Sequence, residues 1–137
     1  PKGAPPDRAH PGTHRWMSNP SAGLPATLTL EWDTPVRVGE VRLVFDSGMH
    51  RCLTLTHSDA YAARMVWGVP QPELVRDYTL DVRQAGQWVP FAAASGNFQR
   101  LCVHRAPEAL EAEALRITVT ATNGLDHARI AGVRVYA

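Results

Sequence analysis

The sequence predicts an all-β protein, an antiparallel β-sandwich of the jelly-roll type, and three observations support that fold class. Apolar and polar residues alternate with period 2 in several segments, most clearly around Leu115, Ile117 and Val119. Turn signals containing Gly, Asn or Pro separate these segments at regular spacing. The 137 residues, 45% hydrophobic and 20% charged, suit one soluble domain. We therefore predict seven or eight short strands in two packed layers.

The beginning of the chain differs in composition from the rest. Pro, Gly, Ser and His are frequent up to about Pro25, so this part is expected to be irregular. We interpret residues 1–13 as an N-terminal linker and residues 14–137 as a single β-sandwich domain of a longer protein. Trp16 is expected to anchor the early segment to the core, and Trp32 and Trp88 are expected in the core as well.

Two strands are predicted in the first half of the chain. Residues 28–32 alternate between apolar and polar, and a turn is expected at Thr34 and Pro35. Residues 36–46 form the next predicted strand, with a break at Gly39. The inward side chains of this strand should be Val41, Leu43 and Phe45.

The second half is predicted to contain a hairpin, a further strand and a closing pair. The hairpin joins residues 75–83 to 87–92 through a turn at Ala85 and Gly86. Residues 98–105 should form a strand with Leu101 and Val103 inward. Residues 106–114 have helical composition and are expected to form one or two exposed turns. The closing pair comprises 115–122 and 128–136, with a bulge at Gly132.

The connection over residues 47–72 is the main candidate for a functional site. A connection longer than about 12–15 residues in a compact domain is usually functional or partly disordered. A sugar site needs an aromatic platform and a few directed polar groups, and this segment contains both. The predicted ligand-binding residues are His50, Arg51, His57, Tyr61, Arg64 and Trp67 in the connection, with Asn97, Arg100 and Asn123 in adjacent turns. Alternatively, Trp67 covers the core edge or packs on a partner domain.

Charge and motif content argue against several other classes of function. The formal net charge of +1 gives no general field for nucleic acid. No apolar run approaches the ~18 residues of a membrane span. No Gly-x-Ser-x-Gly motif of a hydrolase occurs. Asp77 and Asp81 would lie about 13 Å apart along a strand, too far for a glycosidase pair, so they are expected to face solvent.

Histidines and cysteines give no clear metal site. The six histidines are scattered, and Pro11 and Gly12 prevent a helix that would align His10 with His14. We therefore predict no catalytic residue and no zinc site. Cys52 and Cys102 are the only cysteines, and they are either free structural thiols or one disulfide.

Several motifs follow one another in a distinctive order. They are Trp-Met-Ser at Trp16, strand patterns at 28–33 and 38–46, a strand–turn–Trp hairpin ending at Trp88, and terminal strands at 115–119 and 128–136. In this order they resemble the galactose-binding-like sandwich, the factor V/VIII type C or discoidin-like family, from about His14 onwards. The resemblance implies binding of sugar, glycan, lipid headgroup or protein through loops at one end.

A narrower resemblance concerns Phe45-Asp46, the following His/Arg loop, Trp67-Gly-Val-Pro, and residues 75–78 and 97–100. These segments resemble C-terminal regions appended to certain bacterial FAD-dependent oxidoreductases. Because Gly-x-Gly-x-x-Gly is missing here, flavin chemistry would belong to an upstream part of such a chain. The resemblance suggests a bacterial secreted or periplasmic protein, although the residues themselves do not decide the compartment.

Many members of the family hold a structural calcium ion between an early loop and a late carboxylate. Here Ala131 and Gly132 replace the expected late Glu, and Asp7 is the early candidate ligand. Calcium requires six to eight oxygen ligands, so we expect no cofactor and keep calcium as an alternative. The predicted function is a non-catalytic accessory module that binds carbohydrate through surface loops. The alternative is a structural module that docks on the catalytic part of the same polypeptide.

Overall fold

The part of the chain that the structure describes forms six antiparallel strands. The computed structural model describes residues 15–48, Asp59 and 68–137. The strands are β1 Trp16–Met17, β2 Ala26–Phe45, β3 Val75–Gln84, β4 Gln87–Ala94, β5 Leu101–Thr122 and β6 Arg129–Tyr136. They hydrogen-bond in the order β1-β6-β2-β5-β3-β4, and every pair is antiparallel. This confirms the predicted fold class.

The two longest strands turn the sheet into a sandwich. Tyr78 is opposite Val119, which is opposite Ala26, so a flat sheet would place Tyr78 far from Phe45 at the other end of β2. The Phe45 and Tyr78 rings nevertheless pack edge to face, with centroids 5.2 Å apart. β2 and β5 therefore bend, and each contributes one half to each layer.

The layers are defined by these halves. The first layer contains β3, β4, residues 26–31 of β2 and 114–122 of β5, and the second contains β1, β6, residues 40–45 of β2 and 101–105 of β5. Fully buried side chains from both layers form the core, and each contributes about 1.5–3 kcal/mol through burial. They include Val41, Leu43, Phe45, Leu80, Val82, Leu115, Ile117 and Val119.

Two segments that were expected to interrupt strands lie within continuous strands. The expected turn at Thr34 and Pro35 is a register shift inside β2, between Glu31 and Val36. The prediction of helical turns at 106–114 is wrong, because this segment belongs to β5. Pairing of residues 110–112 with Val36–Val38 of β2 overrides the helical composition of this segment. Pro107, which cannot donate a backbone hydrogen bond, lies in a stretch that has no ladder partner on β2.

The inward face of residues 101–105 is also corrected. Leu101 and Val103 are 51% and 38% exposed, whereas Cys102 is buried and His104 bonds to the buried Tyr78. Because side chains alternate between faces, an assignment one residue out of phase inverts the whole segment. Cys102 is a free thiol, and Cys52 lies outside the described residues.

The predicted hairpin and bulge are confirmed. The strands predicted as a closing pair are present but do not pair with each other, because β5 lies between β2 and β3 whereas β6 lies between β1 and β2. One tryptophan also departs from its predicted place. Ala85 and Gly86, both with positive φ, form the two-residue turn of the β3–β4 hairpin. The ladder shifts beside Gly132, as expected for a bulge. Trp16 and Trp32 are partly buried and pack against the core. Trp88 instead lies on the outer face of the first layer, with the Arg116 guanidinium 4.3 Å from its ring centroid.

Candidate functional site

Four connections meet at one end of the sandwich, which we call the loop end: residues 46–48, 68–74, 95–100 and 123–128. The backbone N–H of Phe45 donates to the Arg100 carbonyl at 2.8 Å, and the backbone N–H of Asn123 donates to the Leu74 carbonyl at 2.9 Å. The predicted connection therefore starts and finishes here. Its candidates His50, Arg51, His57, Tyr61, Arg64 and Trp67 lie outside the described residues, as do residues 1–13.

Asn97 lies at the loop end and fixes the turn between β4 and β5. Its Nδ2 donates to the carbonyls of Val75 at 2.8 Å and Gln99 at 3.1 Å. Its Oδ1 accepts from the Gln99 amide at 3.0 Å and from the Cys102 thiol at 3.3 Å. The side-chain amide therefore has its hydrogen-bonding capacity largely used within the protein.

Asn123 has a similar role in the connection between β5 and β6. Its Nδ2 donates to the carbonyls of Leu74 at 3.2 Å and Asn97 at 3.0 Å. The neighbouring Gly124 approaches Pro72 so closely that an added Cβ would lie 2.9 Å from the Pro72 Cβ. Asn123 thus joins three of the four connections.

Arg100 joins the β4–β5 connection to the end of β2. Its Nη1 donates to the Ser47 hydroxyl at 3.0 Å. A guanidinium has five N–H donors, so this contact leaves capacity for a ligand. The structure thus brings Asn97, Arg100 and Asn123 to one end of the molecule.

Phe98 is an exposed aromatic residue that the sequence pattern assigns to a strand. Its exposure is 64%, the highest among the large hydrophobic side chains of the part of the chain described here. It stands between two hollows. One, of about 460 Å³, is lined by Val69, Leu74 and neighbouring residues, and the other, of about 550 Å³, is lined by residues that include Tyr78 and His104. The signal that identifies it is its position between the turn formers Gly96 and Asn97 and the polar Gln99.

The second hollow has a neutral polar floor. The Tyr78 hydroxyl and His104 Nε2 share a hydrogen bond of 2.8 Å. Burial lowers the pKa of His104. Burial, and then the hydrogen bond with Cys102, raises the pKa of Tyr78. Both side chains are therefore uncharged near neutral pH.

A buried ionic cluster supports the loop end from beneath. Asp46 Oδ2 accepts from Arg15 Nη1 at 2.7 Å and from Arg129 Nη1 at 3.5 Å, and Oδ1 accepts from the Gly48 amide at 2.9 Å. Burial raises the pKa of Asp46. The Gly48 amide and the guanidiniums of Arg15 and Arg129 lower it by a larger amount, so the pKa lies below its ordinary value. The carboxylate is therefore ionised and stabilised by these partners.

The cluster continues along the start of β6. Arg129 Nε donates to His127 Nε2 at 2.9 Å, so the proton of the neutral ring is on Nδ1. This Nδ1 donates to Asp126 Oδ1 at 2.7 Å. Burial and the charge of Arg15 lower the pKa of Arg129, while Asp46 and Glu73 oppose that shift. These contacts connect the 123–128 loop to the end of β2.

Metal-ligating residues do not converge in the described part of the chain. Within residues 15–48, 59 and 68–137, no group of three or more His, Cys, Asp or Glu side chains is placed to hold a metal ion. Ala131 and Gly132, where the family resemblance expects a late Glu, form part of the bulge in β6 beside Val44. Over the same ranges, no helix is long and apolar enough to span a membrane.

Comparison with solved structures finds the same fold in carbohydrate-binding modules. The chain is similar to the family 32 module of C. perfringens NanJ in complex with galactose (TM-score 0.66, 17% identity, covering 100% of this chain and 88% of that chain). It is also similar to the family 32 module of Streptococcus pneumoniae EndoD (TM-score 0.65, 17% identity, covering 89% and 74%). A third is chitosan-binding module 1 of a Paenibacillus chitosanase/glucanase (TM-score 0.65, 15% identity, covering 100% and 88%).

No protein-family model and no curated protein matches the sequence. The likeness to these structures is therefore one of fold and not of sequence. The likeness confirms the predicted galactose-binding-like architecture.

Proposed function

We propose that this protein is a non-catalytic carbohydrate-binding module whose ligand lies at the loop end, stacked on Phe98. The observation that carries the proposal is an aromatic ring, 64% exposed, on a turn fixed by the four side-chain hydrogen bonds of Asn97. A sugar ring presents C–H groups that pack on an aromatic face, while polar groups around it direct its hydroxyls. Holding the platform rigid before binding reduces the entropy lost on association.

The fold comparison supports this class of function. The similar structures include a module in complex with galactose and another in complex with GalNAc-β-1,3-galactose. In such sandwiches the strands form a rigid framework, and binding residues are usually found on loops. We infer the same division of labour here.

The proposed site also includes the connection between β2 and β3. Between Gly48 and Gly68 only Asp59 of this connection is described, and Gly68 lines the hollow beside Phe98. We propose that His50, Arg51, His57, Tyr61, Arg64 and Trp67 contribute polar and aromatic contacts from it. Arg100 would add a guanidinium, whereas Asn97 and Asn123 would hold the loops in place.

A glycan array of neutral oligosaccharides, followed by calorimetry, tests the proposal. Phe98→Ala should weaken binding of the best neutral ligand at least about tenfold, which corresponds to about 1.4 kcal/mol. Tyr136→Ala is the matched control. Tyr136 is also an exposed aromatic residue, but it lies opposite Glu40 in the β2–β6 ladder, away from the loop end. Binding of no neutral glycan, or equal losses in the two variants, would refute the assignment.

A second candidate function is docking on an adjacent domain of the same polypeptide, such as an FAD-dependent oxidoreductase part. Val69 and Phe98, 61% and 64% exposed, line one hollow at the loop end and favour a protein contact there. This function predicts that Phe98→Ala weakens association with that domain. It also predicts that the isolated chain binds no neutral glycan.

A further inference from the structure

The outer face of the second layer carries an excess of positive charge. Val41 and Leu43 of β2 are fully buried, so Glu40 and Arg42 point away from the core. The register extends this face to both neighbouring strands. One row is Arg134–Arg42–Val103 and the next is Tyr136–Glu40–Arg105. We call these six residues the arginine face.

The single carboxylate on this face pairs with two of its three guanidiniums. Glu40 accepts a hydrogen bond from Arg42 and another from Arg105 Nε, the latter at 2.6 Å. Arg134 lies directly opposite Arg42 on the adjacent strand. Among the ion pairs of the described residues, none involves Arg134. The face therefore carries two positive charges in excess.

The pairing of Arg42 with Arg134 is unfavourable within the protein alone. Like charges directly opposite each other across antiparallel strands destabilise a sheet. Arginines on the outer face of the first layer are arranged differently, since Arg83 pairs with Glu31 and Glu113, and Arg116 pairs with Asp81. The unbalanced charge is thus a local property of the second layer and a reason to expect an anionic ligand there.

Apolar side chains accompany the charges. Tyr136 and Val103 are 41% and 38% exposed, and Leu101, next to Val103 along β5, is 51% exposed. The Arg42 guanidinium lies 4.8 Å from the centroid of the Tyr136 ring and holds that ring on the sheet. The surface therefore offers guanidinium donors beside aliphatic and aromatic groups that are accessible to solvent.

We propose that the arginine face is a second binding surface, which takes an anionic polysaccharide whose sugar rings carry carboxylates or sulfates. Guanidiniums bind such groups with two parallel hydrogen bonds. Adjacent strands lie about 4.8 Å apart and successive rows about 6.8 Å apart, so the three arginines suit a chain with repeated anions rather than one isolated ion. The apolar side chains suit the C–H faces of the sugar rings between those anions.

Other occupants fit less well. A second copy of this protein, placed on this face through a twofold axis, would oppose one excess of positive charge with another. The neutral ligand proposed for the loop end gains nothing from the excess positive charge of this face. Val103 also lines the second hollow beside Phe98, but none of the three arginines lines either hollow. The inference rests on those arginines and therefore does not depend on the loop-end proposal.

Affinity electrophoresis and calorimetry with polygalacturonate and heparin test the inference, with dextran as the neutral polymer. At 50 mM salt, Arg134→Gln should weaken polygalacturonate binding about fivefold and Arg42→Gln/Arg134→Gln at least about twentyfold. Arg37→Gln is the control, because it removes the same charge from an exposed arginine off this face and should change binding less than about twofold. Raising salt to 300 mM should weaken wild-type binding strongly.

Four results would overturn the inference. The first is no binding of either polyanion, and the second is equal losses in Arg37→Gln and Arg134→Gln, which would indicate net charge alone. The third is binding of poly-L-glutamate as tight as that of polygalacturonate and equally sensitive to Arg134→Gln, which would indicate an acidic protein partner. Phe98→Ala separates this inference from the loop-end proposal, because it should leave polygalacturonate binding unchanged. The fourth overturning result is loss of polyanion binding in Phe98→Ala, which would place the polyanion at the loop end instead.

Discussion

The two ends of the sandwich are built by different means. At the loop end, four separate connections are joined by side-chain amides and by buried charges around Asp46. At the other end, which we call the bend end, β2 and β5 run through without interruption and bend from one layer into the other. Ion pairs there, such as Arg83–Glu113, are partly exposed. A few buried polar groups therefore hold the loop end together, whereas backbone hydrogen bonds between continuous strands hold the bend end together.

Removing one carboxylate at each end should give the largest contrast. Asp46→Ala takes away the anion between two buried guanidiniums and should lower the free energy of unfolding by about 3–5 kcal/mol. Glu113→Ala at the bend end breaks a partly exposed pair and should cost about 0–1 kcal/mol. Urea unfolding followed by tryptophan fluorescence measures both. Similar losses in the two variants would mean that the ends do not differ in this way.

Glycine substitutions should sharpen the comparison with a smaller effect. Gly124→Ala puts a Cβ 2.9 Å from that of Pro72, and overpacking of this kind costs about 1–3 kcal/mol. Gly86→Ala meets no atom within 4 Å, but its φ of +77° is unfavourable for a side chain, at a cost of about 1 kcal/mol.

Asparagine distinguishes the two causes, because it tolerates positive φ better than alanine does. Gly86→Asn should therefore recover part of the stability lost in Gly86→Ala. Gly124→Asn should be at least as destabilised as Gly124→Ala. If Gly124→Asn were more stable than Gly124→Ala, contact with Pro72 would not be the cause of the stability lost in Gly124→Ala.

The smallest expected effect is a change with pH. Since the pKa of Asp46 is lower in the folded state than in the unfolded chain, its contribution to stability is complete at neutral pH. It is lost as the pH falls below about 4 and through the folded-state pKa. The stability difference between wild type and Asp46→Asn should therefore shrink between pH 5 and pH 2.5 in urea titrations. A constant difference over this range would contradict the assigned ionisation.

Period-2 patterns made most of the framework predictable. The inward residues Val41, Leu43 and Phe45, and the hairpin turn at Ala85 and Gly86, are where the pattern places them. The pattern failed where long-range pairing decides the structure. Residues 106–114 have helical composition, but pairing with β2 places them in a strand. The faces of Leu101 and Val103 depend on where β5 starts, which local alternation does not specify.

The candidate site was predictable only in location. Turn chemistry placed Asn97, Arg100 and Asn123 near one another, and they do meet at the loop end. Turn chemistry did not reveal that the two asparagine amides are engaged with backbone carbonyls, because that requires the arrangement of Leu74 and Val75 around them. Phe98 was missed because an aromatic residue before an alternating segment resembles the first residue of a strand.

The passage of β5 through both layers has a consequence for how the molecule opens. Its 22 residues pair with β2 along most of their length and with β3 at their end. Neither layer can therefore detach without breaking the hydrogen bonds of a strand that it shares with the other. Backbone amides of Leu43 and Ile117, in different layers, should accordingly exchange with deuterium through the same global unfolding event.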